Sequence, residues 1–136
     1  MIAMLRNIVL FLLIFSFSSY LFARPGEPDS LQYVRLYKLA KEVSRSNLKE
    51  AYLYLHEAKL LAQKNKSNKF YAKTLYEESQ YLFQDGRYGE MVDSCLLAIA
   101  LLKKENLISE EAKCYSKIGV GYANMNKYKD ALEAFF

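Results

Sequence analysis

The sequence predicts an all-α protein in which antiparallel helix–turn–helix units stack in series, an α-solenoid of about two and a half repeats preceded by a hydrophobic signal or anchor helix. Three observations predict it. From Leu31 onward there is no proline and no strand-like alternation, and the apolar residues recur at threes and fours. Short polar breaks cut that stretch into six segments of helical length. Sliding the sequence by 40 residues brings those segments into register two at a time.

Met1–Ala23 carries a single charge, Arg6, then the apolar run Ile8–Phe15 and a serine-rich stretch. A positive start, an apolar core of roughly 7–15 residues and a small residue before a polar segment form the pattern of a secretory signal peptide. Cleavage fits after Ala23, with Ser16-Phe17-Ser18 as a second site; left uncleaved, the same segment is a membrane anchor. Both readings export the rest of the chain, to the periplasm, the medium or the outer side of the membrane. Residues 24–30 read as a Pro/Gly linker in which Asp29 or Ser30 is placed to cap the first helix.

The helical segments are expected at 31–45, 48–65, 69–84, 88–104, 107–125 and 128–136. Val34, Tyr37 and Ala40 share one face of the first, and Leu48, Ala51, Leu55, Ala58 and Ala62 one face of the second. Further on, Tyr88, Val92, Cys95, Ile99 and Leu102 form a stripe, as do Tyr115, Ile118, Tyr122 and Met125. Gly86 and Asn126 stand where a helix ends in a left-handed residue. Links this short make successive helices antiparallel.

At the 40-residue offset Tyr128 falls on Tyr88 and Leu48, Ala131 on Met91 and Ala51, Phe135 on Cys95 and Leu55, and Gly119 on Ser79 and Leu39. The last copy, Ile118-Gly119-x-x-Tyr122-x-x-x-Asn126-x-Tyr128-x-x-Ala131-x-x-x-Phe135, resembles the tetratricopeptide-repeat family. Gly119 and Ala131 are small where two helices cross, and Tyr122, Tyr128 and Phe135 fill the space around them. The family's usual unit is about 34 residues, so a 40-residue period resembles its long-helix variant, with the excess expected across 100–109. The resemblance covers the domain 31–136, with repeats at about 32–71, 72–111 and a shortened 112–136. Met91 stands where a small residue belongs, and Ala131, Leu132, Phe135 and Phe136 are left with no following turn. The expectation is a fragment whose remainder lies beyond Phe136.

Composition narrows the functions. The chain is 52% hydrophobic and 25% charged with five glycines and two prolines, which excludes a disordered tail, a collagen-like rod and a disulfide scaffold. The net charge of +4 is scattered, so no nucleic-acid partner is expected. One histidine, His56, and two cysteines without metal-ligand spacing lead us to expect no metal site. Glu77-Glu78 and Glu110-Glu111 diverge around their helices and are read as solvated faces, not as an acid–base pair. Gly119-Val120-Gly121 lies inside a helix and lacks the lysine and hydroxyl of a nucleotide loop. Neither cofactor nor enzymatic activity is expected. Cys95 and Cys114 lie on helices expected to pack together, either as a disulfide or as two small buried side chains.

What remains is surface. The resemblance implies a concave face lined by first helices, where a peptide or partner helix docks. On this sequence the partner-binding residues would be Tyr33, Tyr37, Lys73, Tyr76, Gln80, Phe83, Lys113, Lys117 and Asn124, with Leu36, Ala40, Glu77 and Val120 on the same face. Lys113 and Lys117 match part of the set with which some family members grip a terminal carboxylate, but Leu36, Ala40 and Glu77 replace its other polar members, so that ligand is not expected. The function expected is therefore an exported, non-catalytic protein–protein interaction module. The alternative is the extracytoplasmic sensory part of a bacterial membrane regulator, whose histidine-kinase or DNA-binding output would follow residue 136. Membrane contact is expected only through residues 1–23, if they are retained.

Overall fold

In the computed structural model, residues 28–136 are described, so the expected signal segment lies outside the described residues. Six helices follow one another: α1 Asp29–Val43, α2 Leu48–Lys64, α3 Asn68–Gln84, α4 Tyr88–Lys104, α5 Ile108–Asn124 and α6 Tyr128–Phe135. Each packs on the next, and α3 also reaches α5. The arrangement is an all-α solenoid of antiparallel hairpins, α1–α2, α3–α4 and α5–α6.

From α2 onward the helices start every 20 residues, and α2 to α5 each have 17 residues joined by three-residue links. The links share one chemistry. Lys66, Gly86, Asn106 and Asn126 adopt left-handed backbone, with φ of 52°, 71°, 54° and 59°. In each case the next N–H reaches back five residues: Ser67 to Ala62, Arg87 to Leu82, Leu107 to Leu102 and Lys127 to Tyr122, at 2.9–3.2 Å. That pairing satisfies carbonyls a helix end leaves open. Starting caps are less uniform. Asn47 and Ser67 accept from Glu50 N and Phe70 N at 3.2 and 3.3 Å. Neither Asp29 nor Ser30 caps α1. Pro28 occupies the cap position with no side-chain bond, and Asp29 already lies in the helix, paired with Lys64 of α2 at 3.0 Å.

The core follows the expected stripes with corrections. On α1 the buried residues are Tyr33, Leu36 and Ala40, while Val34 is exposed. On α5 they are Cys114, Ile118, Gly119 and Gly121, and Tyr115 turns outward. Cys95 and Cys114 are free, buried thiols in the cluster that joins α3, α4 and α5. The bond from Cys114 favours the Cys95 thiolate, whereas that same bond, with burial second, raises Cys114.

Met91 is fully buried, and the reason it fits lies on α5. A Cβ on Gly121 would stand 2.5 Å from Met91 Cε and 2.8 Å from Val92 Cγ2. Forty residues earlier the sizes are reversed: Ala51 takes the Met91 position, and Tyr81, in the Gly121 position, shares its buried cluster. Small-with-large replaces large-with-small, which conserves volume across the two crossings. Gly119 differs from Gly121, because its Cβ would meet only the tip of the Phe135 ring, which is half exposed. Ala131 is covered by α5 after all, while Leu132, Phe135 and Phe136 stay exposed.

Gly121→Ala should destabilise the chain by about 1–2 kcal/mol, overpacking outweighing the gain in helix propensity. Gly119→Ala should be within about 0.5 kcal/mol of neutral because Phe135 swings aside. Urea titration of both, and of Gly121→Ala in a Met91→Ala background, checks the contact; equal costs in both backgrounds would refute it. Lys66 is a side-chain-bearing residue in left-handed backbone, so Lys66→Gly should stabilise by about 0.5–1 kcal/mol in the same assay.

Candidate functional site

The first helix of each hairpin contributes to one face, and side chains tie those helices together. Tyr33 donates its hydroxyl to Phe70 O at 3.0 Å and stacks on the Phe70 ring at 4.2 Å. Tyr37 donates to Glu77 Oε2 at 3.2 Å. Lys117 donates to Gln80 Oε1 and lies over the Phe83 ring at 5.0 Å. Two of these bonds span 37 residues and one spans 40, so each joins the first helices of successive hairpins.

Between the helices lies a cleft of about 380 Å³. Tyr37 and Lys41 of α1, Lys69, Lys73, Tyr76 and Glu77 of α3, and Glu110, Lys113 and Cys114 of α5 line it, with Leu102 and Leu107 at one end. It is therefore shared by all three hairpins. Lys41 and Lys73 both approach the Tyr37 ring, at 5.8 and 4.7 Å from its centre.

Of the residues expected on this face, Tyr37, Lys73, Tyr76 and Lys113 meet in the cleft together with Glu77. Gln80, Phe83 and Lys117 form the neighbouring cluster just described. Tyr33 does not line the face: it is 2% exposed and sits beneath it, sealed by Phe70. Leu36 and Ala40 are buried too. Asn124 is exposed but turns its amide to Val120 O of its own helix. Glu77 is not a solvated residue; it is 8% exposed, and Glu78 pairs with Lys59 at 3.0 Å. Neighbours flank α3 on both sides, so adjacent side chains that diverge around the helix are both covered. Lys41, Lys69 and Glu110 belong to the cleft without having been expected there. Lys69 had a signal, its spacing of four from Lys73; Lys41 had none.

Burial, with the Glu77 carboxylate second, holds the hydroxyls of Tyr33, Tyr37 and Tyr81 well above the usual phenol range. Tyr52 is pushed up to about 12 by burial and then by Asp85. Burial lowers Lys117, opposed by Cys95 and Glu77. Among the described residues no group of three metal-ligating side chains occurs, and His56 is exposed on α2. No helix of the described residues is long and apolar enough to cross a membrane.

The structure is similar to the crystal structure of the tetratricopeptide-repeat domain of Arabidopsis FLU, with a TM-score of 0.70 and 22% identity. The match covers 79% of this chain and 92% of that one. The chain has the fold of a tetratricopeptide-repeat domain. The sequence matches no family model and no curated protein. Tetratricopeptide hairpins thus account for the first-helix face and for the cleft that crosses it.

The tyrosines give the domain an alkaline limit. Unfolded tyrosines ionise near about pH 10, whereas Tyr33, Tyr37 and Tyr81 stay protonated in the fold. Above about pH 10 the unfolded chain therefore holds fewer protons, and stability falls as pH rises. The sealed Tyr33 and Tyr81 should each contribute up to about 1.4 kcal/mol of loss per pH unit. Tyrosinate absorbance followed alongside helicity should show a late group of tyrosines ionising only as the helices melt. Ionisation of every tyrosine near about pH 10 with helicity intact would contradict this.

Proposed function

We propose that the protein is a non-catalytic interaction module that holds a peptide or partner helix against its first-helix face. One observation carries the reading: the cleft runs across α1, α3 and α5, and Tyr37 and Tyr76 lie in it between lysines. Half-buried tyrosines offer rigid apolar area with a polar tip, and tyrosine is among the side chains enriched at the centre of an interface. The fold shared with a tetratricopeptide-repeat domain supports the same reading, since stacked hairpins present an extended surface in place of an enclosed pocket. We also propose, on the pattern of residues 1–23, that the module works outside the cytoplasm, whether freed from that segment or held by it.

A second surface supplies the control. Leu53 and Leu60 of α2 and Leu96 and Leu97 of α4 are exposed on the second helices. Peptides selected from a random display library against the protein should lose at least about tenfold in affinity on Tyr76→Ala/Lys113→Ala. They should keep it on Leu53→Ser/Leu97→Ser. The opposite pattern, measured by calorimetry on the selected peptides, would place the binding surface on the second helices.

A further inference from the structure

We infer that the cleft selects an acidic peptide, one whose Asp or Glu side chains flank an apolar residue and meet Lys41, Lys69, Lys73 and Lys113. This rests on the proposed binding role of the first-helix face and adds the chemistry of the partner.

The cleft holds four lysines against two glutamates, Glu77 and Glu110. Among the described residues none of the four lysines forms an ion pair; the ion pairs join Lys38, Lys59, Lys64 and Arg87 to Glu42, Glu78, Asp29 and Glu90. The cleft thus carries two positive charges in excess where the surface is concave, which focuses the field on an incoming anion. Part of that arrangement works against folding. Lys69 and Lys73 stand four apart on α3, a spacing at which like charges destabilise a helix. Lys41 and Lys73 are drawn to the same Tyr37 ring, whose face offsets part of their repulsion. A ligand that brings negative charge relieves both conflicts at once.

The two glutamates decide which anion. Glu77 is buried and takes the Tyr37 hydroxyl, and Glu110 is half-buried beside Lys113. A nucleic-acid strand repeats its charge at every nucleotide and would be driven against them. A peptide can place carboxylates opposite the lysines and a neutral residue opposite the glutamates. Tyr76, Ala72, Leu102 and Leu107 supply the apolar seat for that residue.

The test uses the full chain and a fluorescein-labelled peptide, Asp-Glu-Leu-Glu-Asp-Phe-Glu-Glu, followed by fluorescence anisotropy. Two sequence-matched peptides carry amides or lysines in place of the acids, and a labelled oligothymidylate is the fourth probe. The acidic peptide should bind at least about tenfold more tightly than either matched peptide and weaken as salt shortens the Debye length. Lys73→Glu/Lys113→Glu should weaken it by about tenfold or more, Lys73→Gln/Lys113→Gln by less, and Lys129→Glu on α6 not at all. Circular dichroism confirms that each variant is folded. Equal binding of the amide or lysine peptide overturns the selectivity for acids; if that binding is lost on Tyr76→Ala, the role of the face survives. Tighter binding of the oligothymidylate overturns the choice of peptide over nucleic acid. Failure of every probe also overturns the inference, while the display selection judges the face independently.

Discussion

The crossing of α4 over α5 depends on a missing side chain. Met91 fills the place where a small residue belongs, and it does so because Gly121 leaves the opposite wall open. The equivalent crossing one repeat earlier solves the same problem with Ala51 and Tyr81. Interiors are packed to a density that leaves no slack for an extra methylene, so these pairs of sizes must be matched hairpin by hairpin. Each hairpin buries only part of its apolar surface internally and completes the rest against its neighbour. Register between hairpins is therefore a property of side-chain volume as much as of turn geometry.

That register is what assembles the lysine-lined cleft. Positions 33, 73 and 113 are successive copies of one site, as are 37, 77 and 117, and they carry different chemistry. In the first column a sealed tyrosine is followed by two lysines; in the second a tyrosine hydroxyl donates to a glutamate one repeat on. Identical backbone geometry thus presents an asymmetric face, with the Tyr37–Glu77 bond at its floor and cationic side chains around it. The buried acceptor at Glu77 fixes Tyr37, and Tyr37 in turn gives Lys41 and Lys73 a surface to rest on.

Most of the fold was legible because its signals are local and repeated. A proline-free stretch with helical spacing, interrupted by Gly or Asn at fixed intervals, leaves little freedom over where helices begin. What escaped is what depends on neighbours. The buried face of α1 is rotated from Val34 to Tyr33 and Leu36 because Phe70 of α3 supplies the stacking partner. Glu77 reads as surface in any local pattern and is covered only once α1 lies alongside. Lys41 occupies the copy of the position held by Tyr81 and Gly121, which face the preceding hairpin. Lys41 reaches the rim of the cleft from there, beside the Tyr37 ring.

The even beat of the turns has a genetic corollary. With left-handed residues at 66, 86, 106 and 126 and helices of equal length between them, any two alternate turns are interchangeable joints. Unequal recombination between such joints would add or delete a whole hairpin without creating a novel junction, leaving only the volumes at the new seam to be reconciled by later substitution.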